Sequence, residues 1–275
     1  ECLETHGEDA KAMAGGTGLI NLMKQRLAFP NVVVSLHQVP GLKGVQLDAG
    51  VVRVGALTRL SEVEANRDVQ QHLPMLCEAL AEVASPRIRA MATLGGAVAH
   101  GDPHQDTPVA LMALNAWVVV RTVAGERRLA LDDLYLDYYE TSLAANELIT
   151  HIEIPLPSAS SVGVYLKFLP RSAEDYATVA VGLQIALAES RVADCSMVLG
   201  SVSSTPLRAH AAQGLLAANQ LTDQLVRAAG EHAAAMTDPI SDTRGTALYK
   251  RRMTSVFVRR AVWAAAAKLG MSVEG

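Results

Sequence analysis

Two short glycine-rich stretches are the residues whose types and spacing best suit chemistry. The first is Ala14-Gly15-Gly16-Thr17-Gly18, followed by Leu19. A short apolar stretch over 12–14 reads as a strand feeding it, and a helical pattern over 19–27 leaves it. Its clustered glycines let the backbone take positive φ and come close to a ligand. A helix starting there turns free N–H groups and its positive dipole end toward an anion. Thr17 adds a hydroxyl donor. A pyrophosphate suits such a turn, and a plain strand-to-helix connection suits it equally. The spacing is neither the Rossmann Gly-x-Gly-x-x-Gly nor a P-loop, which needs a Lys-Ser/Thr pair. The second stretch is Thr93-Leu94-Gly95-Gly96-Ala97. Two such turns suggest an extended ligand held from two sides, the shape of a dinucleotide.

The second turn runs into a segment in which His100, Asp102, His104 and Asp106 alternate. Metal ligands are of these types. Against that stands a plainer reading, in which Asp102 and Asp106 cap a helix starting near Pro108. A third reading gives Asp106 the hydrogen bonds of a ribose, as acidic residues do in other dinucleotide sites. Lys167 and Arg171 form another polar cluster, suited to a phosphate or an electron-rich reduced cofactor, or to solvated ion pairs. Tyr249-Lys250-Arg251-Arg252 with Arg259 and Arg260 makes a basic stripe on the last helix. That stripe reads as a solvated face, with a partner contact as the alternative. No Ser-His-Asp order, Cys–His pair or His-Glu-x-x-His motif is present. Chemistry is therefore expected from a bound cofactor.

These residues need a framework. The chain has 275 residues, 50% hydrophobic and 19% charged, which suits one large or two smaller domains and excludes disorder. A net charge of −4 and 4% aromatics argue against nucleic acid. No apolar run approaches the roughly 20 residues of a membrane helix. Three cysteines without Cys-x-x-Cys spacing exclude an iron–sulfur centre held by this chain alone and fit a reducing cytoplasm. Association with the inner face of a membrane stays compatible with that location. The chain opens on Glu1 in what reads as a helix under way, so a preceding segment is expected.

Strands are expected over 32–36, 45–47, 51–55, 117–123, 126–131 and 148–154, and helices over 74–84 and 108–114. Ser61 is expected to cap a helix, with Glu64 as reciprocal partner. Residues 157–163, rich in Ser, Pro and Gly, mark a domain boundary. Beyond it, strands are expected over 164–169, 178–188 and 195–202, then helices over 209–218, 222–236 and 249–269. The expectation is an α+β protein with units at 1–157, divided near residue 50, and at 163–275.

The set Ala14-Gly15-Gly16-Thr17 … Leu22-Met23-Lys24, then Thr93-Leu94-Gly95-Gly96 … Ala99-His100-Gly101-Asp102-Pro103 … Asp106, resembles the medium, FAD-binding subunits of molybdenum hydroxylases. The resemblance covers nearly the whole chain. It implies a fold related to the vanillyl-alcohol-oxidase flavoproteins: two α/β subdomains clasping FAD, then a C-terminal domain of a small antiparallel sheet and a helical bundle. It implies that 14–19 and 93–97 hold the FAD diphosphate and ribityl chain, with His100 nearby. Asp106 would face the adenosine side, and Ile149 and Lys167 would lie beside the flavin. It also implies partners: a small subunit with two [2Fe–2S] clusters and a large molybdopterin subunit, arranged as a dimer of heterotrimers. An external acceptor would take the electrons. Two departures stand out. Ala97 occupies the place of the family's usual Asn, and Gly101 that of the usual Ala. The rival expectations are a self-contained flavin oxidase or reductase, and a non-redox nucleotide-binding module.

Overall fold

The computed structural model describes residues 1–170, 172 and 175–271. A short helix α1 (Cys2–His6) precedes strand β1 (Ala10–Met13), helix α2 (Thr17–Lys24) and strand β2 (Val32–Ser35). Strands β1 and β2 pair in parallel, Ala10 opposite Val32. Next come β3 (Val45–Asp48), β4 (Val51–Gly55) and five helices: α3 (Leu60–Glu64), α4 (Arg67–His72), α5 (Pro74–Ala81), α6 (Pro86–Arg89) and α7 (Leu94–Ala99). Helix α8 (Asp106–Ala113) leads to β5 (Trp117–Arg121), β6 (Glu126–Ala130), the small hairpin β7 (Tyr135–Asp137) and β8 (Glu140–Thr141), and β9 (Leu148–Pro155). The rest is β10 (Ser161–Phe168), β11 (Val179–Ala188), β12 (Arg191–Gly200), β13 (Leu207–Arg208), α9 (His210–Leu216), α10 (Asp223–Ala235) and α11 (Ala247–Lys268).

Three layers result. The β1–β2 unit carries the first glycine turn. A five-stranded sheet in the order β3-β4-β9-β5-β6 forms the second layer, with β9 inserted between β4 and β5. A four-stranded antiparallel sheet β10-β11-β12-β13 forms the third, covered by α9, α10 and α11. Helix α8 joins the last two layers, and every one of its residues is buried. It lies flat on β11 and β12 because Gly182 and Gly200 face it. A Cβ on Gly200 would stand 2.6 Å from Val109 Cγ2. Any side chain there would push the helix off the sheet.

Local signals explain most helix starts. Asn66 accepts from the amides of Asp68 and Val69, and Thr222 and Thr246 cap α10 and α11 in the same way. Pro74 opens α5, where its missing N–H costs nothing.

Several expectations are corrected. Helix α3 is capped earlier than Ser61: Glu62, not Glu64, takes the amide of Arg59 at 2.9 Å. The first unit ends before residue 50, because β3 pairs with β4 in the five-stranded sheet. Helices α4 and α6 and the β7–β8 hairpin are too short for periodicity to reveal. The basic stripe is not uniformly solvated. Lys250 is 0% exposed, its Nζ 2.8 Å from Asp242, while Arg251, Arg252 and Arg260 are exposed. Among the described residues, no helix is long and apolar enough to cross a membrane.

Candidate functional site

The first glycine turn sits between β1 and α2. Gly16 takes the N-cap position with φ 74, and no side chain caps the helix. Among the described residues, nothing accepts a hydrogen bond from the amides of Gly15 or Gly16. The turn therefore presents unpaired donors at the positive end of an eight-residue helix.

The second turn lies directly behind the first. A Cβ on Gly15 would fall 2.0 Å from the carbonyl oxygen of Met91, so backbone rests on backbone. A Cβ on Gly96 would stand 3.7 Å from Ala14 Cβ. The two turns differ in role, however. Leu94 N donates to Thr58 O and Gly95 N to Ala56 O, both at 2.9 Å. Gly96 N donates to Thr93 Oγ1 at 3.2 Å, and Ala97 N to Thr93 O at 2.9 Å. All four amides are consumed inside the protein. The amides of the second turn are thus satisfied within the protein, and those of Gly15 and Gly16 are not.

A cleft of about 180 Å³ opens beside them. Ala14, Gly15 and Thr93 form part of its wall, and His37, Lys43 and Arg59 bring basic groups to it. The Lys43 and Arg59 side chains are exposed and form no ion pair among the described residues. Sequence reading missed all three, because each lies far along the chain from either motif. The one available signal was Lys43 in the Pro40–Gly44 turn that precedes β3.

The segment after the second turn does not converge on a point. His100 packs its ring on α2: a Cβ on Gly18 would meet it at 2.9 Å. Burial holds the His100 imidazole below its usual range, with Asp102 pulling the other way. Asp102 turns to His104, while Asp106 turns to Tyr165 and Lys167. The alternating ligand types are thus spent on separate partners, and no group of three or more among the described residues could hold a metal ion.

Asp106 and Lys167 meet in a buried ion pair at 2.9 Å. Tyr165 donates to the other carboxylate oxygen at 2.5 Å, and Lys167 Nζ also donates to Glu82 O at 2.8 Å. Burial pushes the Asp106 carboxyl up, and Lys167 and Tyr165 pull it partly back. Lys167 is therefore no free cation waiting for a phosphate. The pair ties the start of α8 to β10, and so one domain to the other. Ile149 is a core residue on β9, 5% exposed, and does not line the cleft. Ala97 brings no polar side-chain atom. Arg171 lies outside the described residues.

Residues 1–157 match the family described as the FAD binding domain in molybdopterin dehydrogenase, and residues 164–265 match the CO dehydrogenase flavoprotein C-terminal domain. The chain belongs to this family. Its N-terminal domain is a FAD-binding domain, and the protein is an oxidoreductase component. It is similar to the nicotine 6-hydroxylase medium subunit of Paenarthrobacter nicotinovorans, at 36% identity over 95% of this chain and 91% of that one. It is similar to the carbon monoxide dehydrogenase medium chain of Hydrogenophaga pseudoflava, at 33% identity over 95% and 91%. A solved structure of carbon monoxide dehydrogenase from that organism superposes with a TM-score of 0.94 at 35% identity, covering 97% of this chain and 92% of that one. The described residues suit FAD. Unpaired amides at an uncapped helix start, beside unpartnered Lys43 and Arg59, are the donor set that a diphosphate takes up.

Proposed function

We propose that this chain is the FAD-carrying medium subunit of a molybdenum hydroxylase. The unpaired amides of Gly15 and Gly16, next to a cleft that Gly15, Lys43 and Arg59 line, carry the reading. The names of its relatives, medium chains of carbon monoxide dehydrogenase and nicotine 6-hydroxylase, support it. Bound FAD would supply the electron exchange between the [2Fe–2S] clusters of a small subunit and an external acceptor, the organic substrate being oxidised at a molybdopterin centre in a large subunit. The assembly is a cytoplasmic dimer of such heterotrimers.

This chain's own residues bind and orient. The turn from Ala14 to Leu19 donates to the diphosphate with its amides and the Thr17 hydroxyl. Lys43 and Arg59 neutralise its charge without being buried. Thr93, Gly95, Gly96 and Ala97 hold the donor turn in place from behind, and Thr93 adds its side chain to the cleft wall. His100, pressed on Gly18, excludes water from the α2 side. The Asp106–Lys167 pair holds the two domains together around the ligand, and Ile149 supports β9 from the core. No residue here is assigned contact with the organic substrate.

The test is direct. Protein purified with its partners and denatured in the dark should release FAD at near-unit stoichiometry. It should also co-purify with an iron–sulfur chain and a molybdopterin chain. A colourless protein that binds no flavin sinks the reading.

A further inference from the structure

Asp102 lies two residues past His100 and is 2% exposed. Its Oδ1 accepts from the His104 amide at 3.0 Å and faces His104 Nδ1 at 3.1 Å. Its Oδ2 has no donor in hydrogen-bonding geometry among the described residues. The hydroxyls of Tyr139 and Tyr176 nevertheless stand beside this carboxylate and feel its charge. Burial alone would push the carboxyl up, but the hydrogen bonds and charge of His104 outweigh it, and the group stays ionised. A buried anion with an open acceptor is a costly arrangement that calls for a reason.

The surroundings supply one. Tyr139 sits in the left-handed region at φ 56, where a bulky residue is strained. Its amide donates to Gly101 O at 2.8 Å, and Gly101 is itself left-handed at φ 67. That turn sets the Tyr139 ring edge-on to His100, centroids 5.3 Å apart. Tyr176 comes from the other domain. It meets His104 edge-on at 5.8 Å and lies 5.4 Å from the guanidinium of Arg244, which Asp175 holds at 2.7 Å. Both phenols remain open to solvent, at 50% and 44%. At the far end of this set, His100 rests on Gly18 of the donor turn.

We propose that Asp102 is a positioning residue of the flavin site, whose one buried carboxylate holds His104, Tyr139 and Tyr176, drawn from both domains, as a single unit beside the first glycine turn. The proposal rests on the FAD reading given above. Asp102 acts through these neighbours, and its own contact with the cofactor is not required. Removing its charge weakens the hold on His104, on which the Tyr176 ring of the other domain packs, and loosens the domains from each other next to His100.

Asp102→Asn keeps the shape and the Oδ1 acceptor while removing the charge. In this variant the FAD dissociation constant should rise roughly tenfold, about 1.4 kcal/mol, as the His104 contact loses its charge and the site loosens. The visible circular dichroism of the bound flavin should change as well. Two of the six tyrosines should ionise at lower pH when phenolate absorbance is followed. In the native protein, burial first and Asp102 second push Tyr139 up to about 12, and Tyr176 is raised by the same causes. Should Asp102→Asn fail to fold, Tyr139→Phe and Tyr176→Phe, at exposed positions, serve instead. Each should abolish one late tyrosine titration and weaken FAD binding a few-fold. Native FAD affinity in Asp102→Asn, or in both tyrosine variants, overturns the proposal. So does an unchanged tyrosine titration in Asp102→Asn. Native protein that binds no FAD overturns the flavin reading instead, and the tyrosine titration still reports on Asp102.

Discussion

Lys167→Met separates an interdomain ion pair from a mere surface contact. Asp106 is 5% exposed, with one carboxylate oxygen 2.9 Å from Lys167 Nζ and the other 2.5 Å from the Tyr165 hydroxyl. Methionine roughly keeps the volume but strands the carboxylate, and it leaves Glu82 O without its donor. Breaking a buried pair from one side costs about 3–5 kcal/mol. At about 2–4 °C per kcal/mol for a protein of this size, Tm should fall by roughly 10 °C. Circular dichroism melts of FAD-free protein at neutral pH measure this without a ligand contribution. The pH dependence gives a second check. Burial already raises the Asp106 carboxyl, and losing Lys167 raises it further. A raised carboxyl contributes stability that is complete below the unfolded value of about 3.9 and is lost as pH rises through the folded value. The deficit of Lys167→Met should therefore shrink as pH is lowered from 7. Adding Asp106→Asn should restore part of the loss at pH 7, since no buried charge then remains. A deficit below about 1 kcal/mol, typical of exposed pairs, would refute this reasoning. So would a double variant no better than the single one.

Three further outcomes are expected. Gly15→Ala puts a methyl 2.0 Å from Met91 O, so it should cost about 1–3 kcal/mol in urea unfolding and abolish FAD retention; native FAD content would show that the turns need not touch. Lys43→Ala with Arg59→Ala should raise the FAD dissociation constant by about 2–10-fold at low salt, less at high salt, with FAD-free stability unchanged. Equal affinities at low salt would remove the cleft from the site. Burial lowers the His100 imidazole, so its contribution is present above the unfolded value of about 6.5 and lost as pH falls through the folded one. His100→Gln should flatten the acid side of the Tm–pH curve, and an identical slope in both proteins would contradict the burial.

The long elements were legible in the sequence because their signals are local. The alternation over Leu148–Pro155 and the apolar face of Pro74–Ala81 repeat within one element, so neighbours along the chain report them. Short pieces such as Arg67–His72 and Pro86–Arg89 span barely a turn or two and leave no period to read. The charged residues were least legible. Lys250 and Arg252 look alike in a basic run, yet one pairs with Asp242 in the interior and the other is exposed.

The two glycine turns show where the division falls. Sequence alone determined that the backbone at Gly15-Gly16 and Gly95-Gly96 can approach other atoms closely, since a missing Cβ is a property of the residue. It also determined that a helix follows the first turn. Only the tertiary structure decided what approaches. Thr58 and Ala56, far back along the chain, take the amides of the second turn, and nothing described takes those of the first. The same packing brings Lys43 and Arg59 to one cleft and spends Asp106 on Lys167. Backbone freedom is written residue by residue. Which donors stay unpaired depends on partners that come into reach only when distant segments pack together.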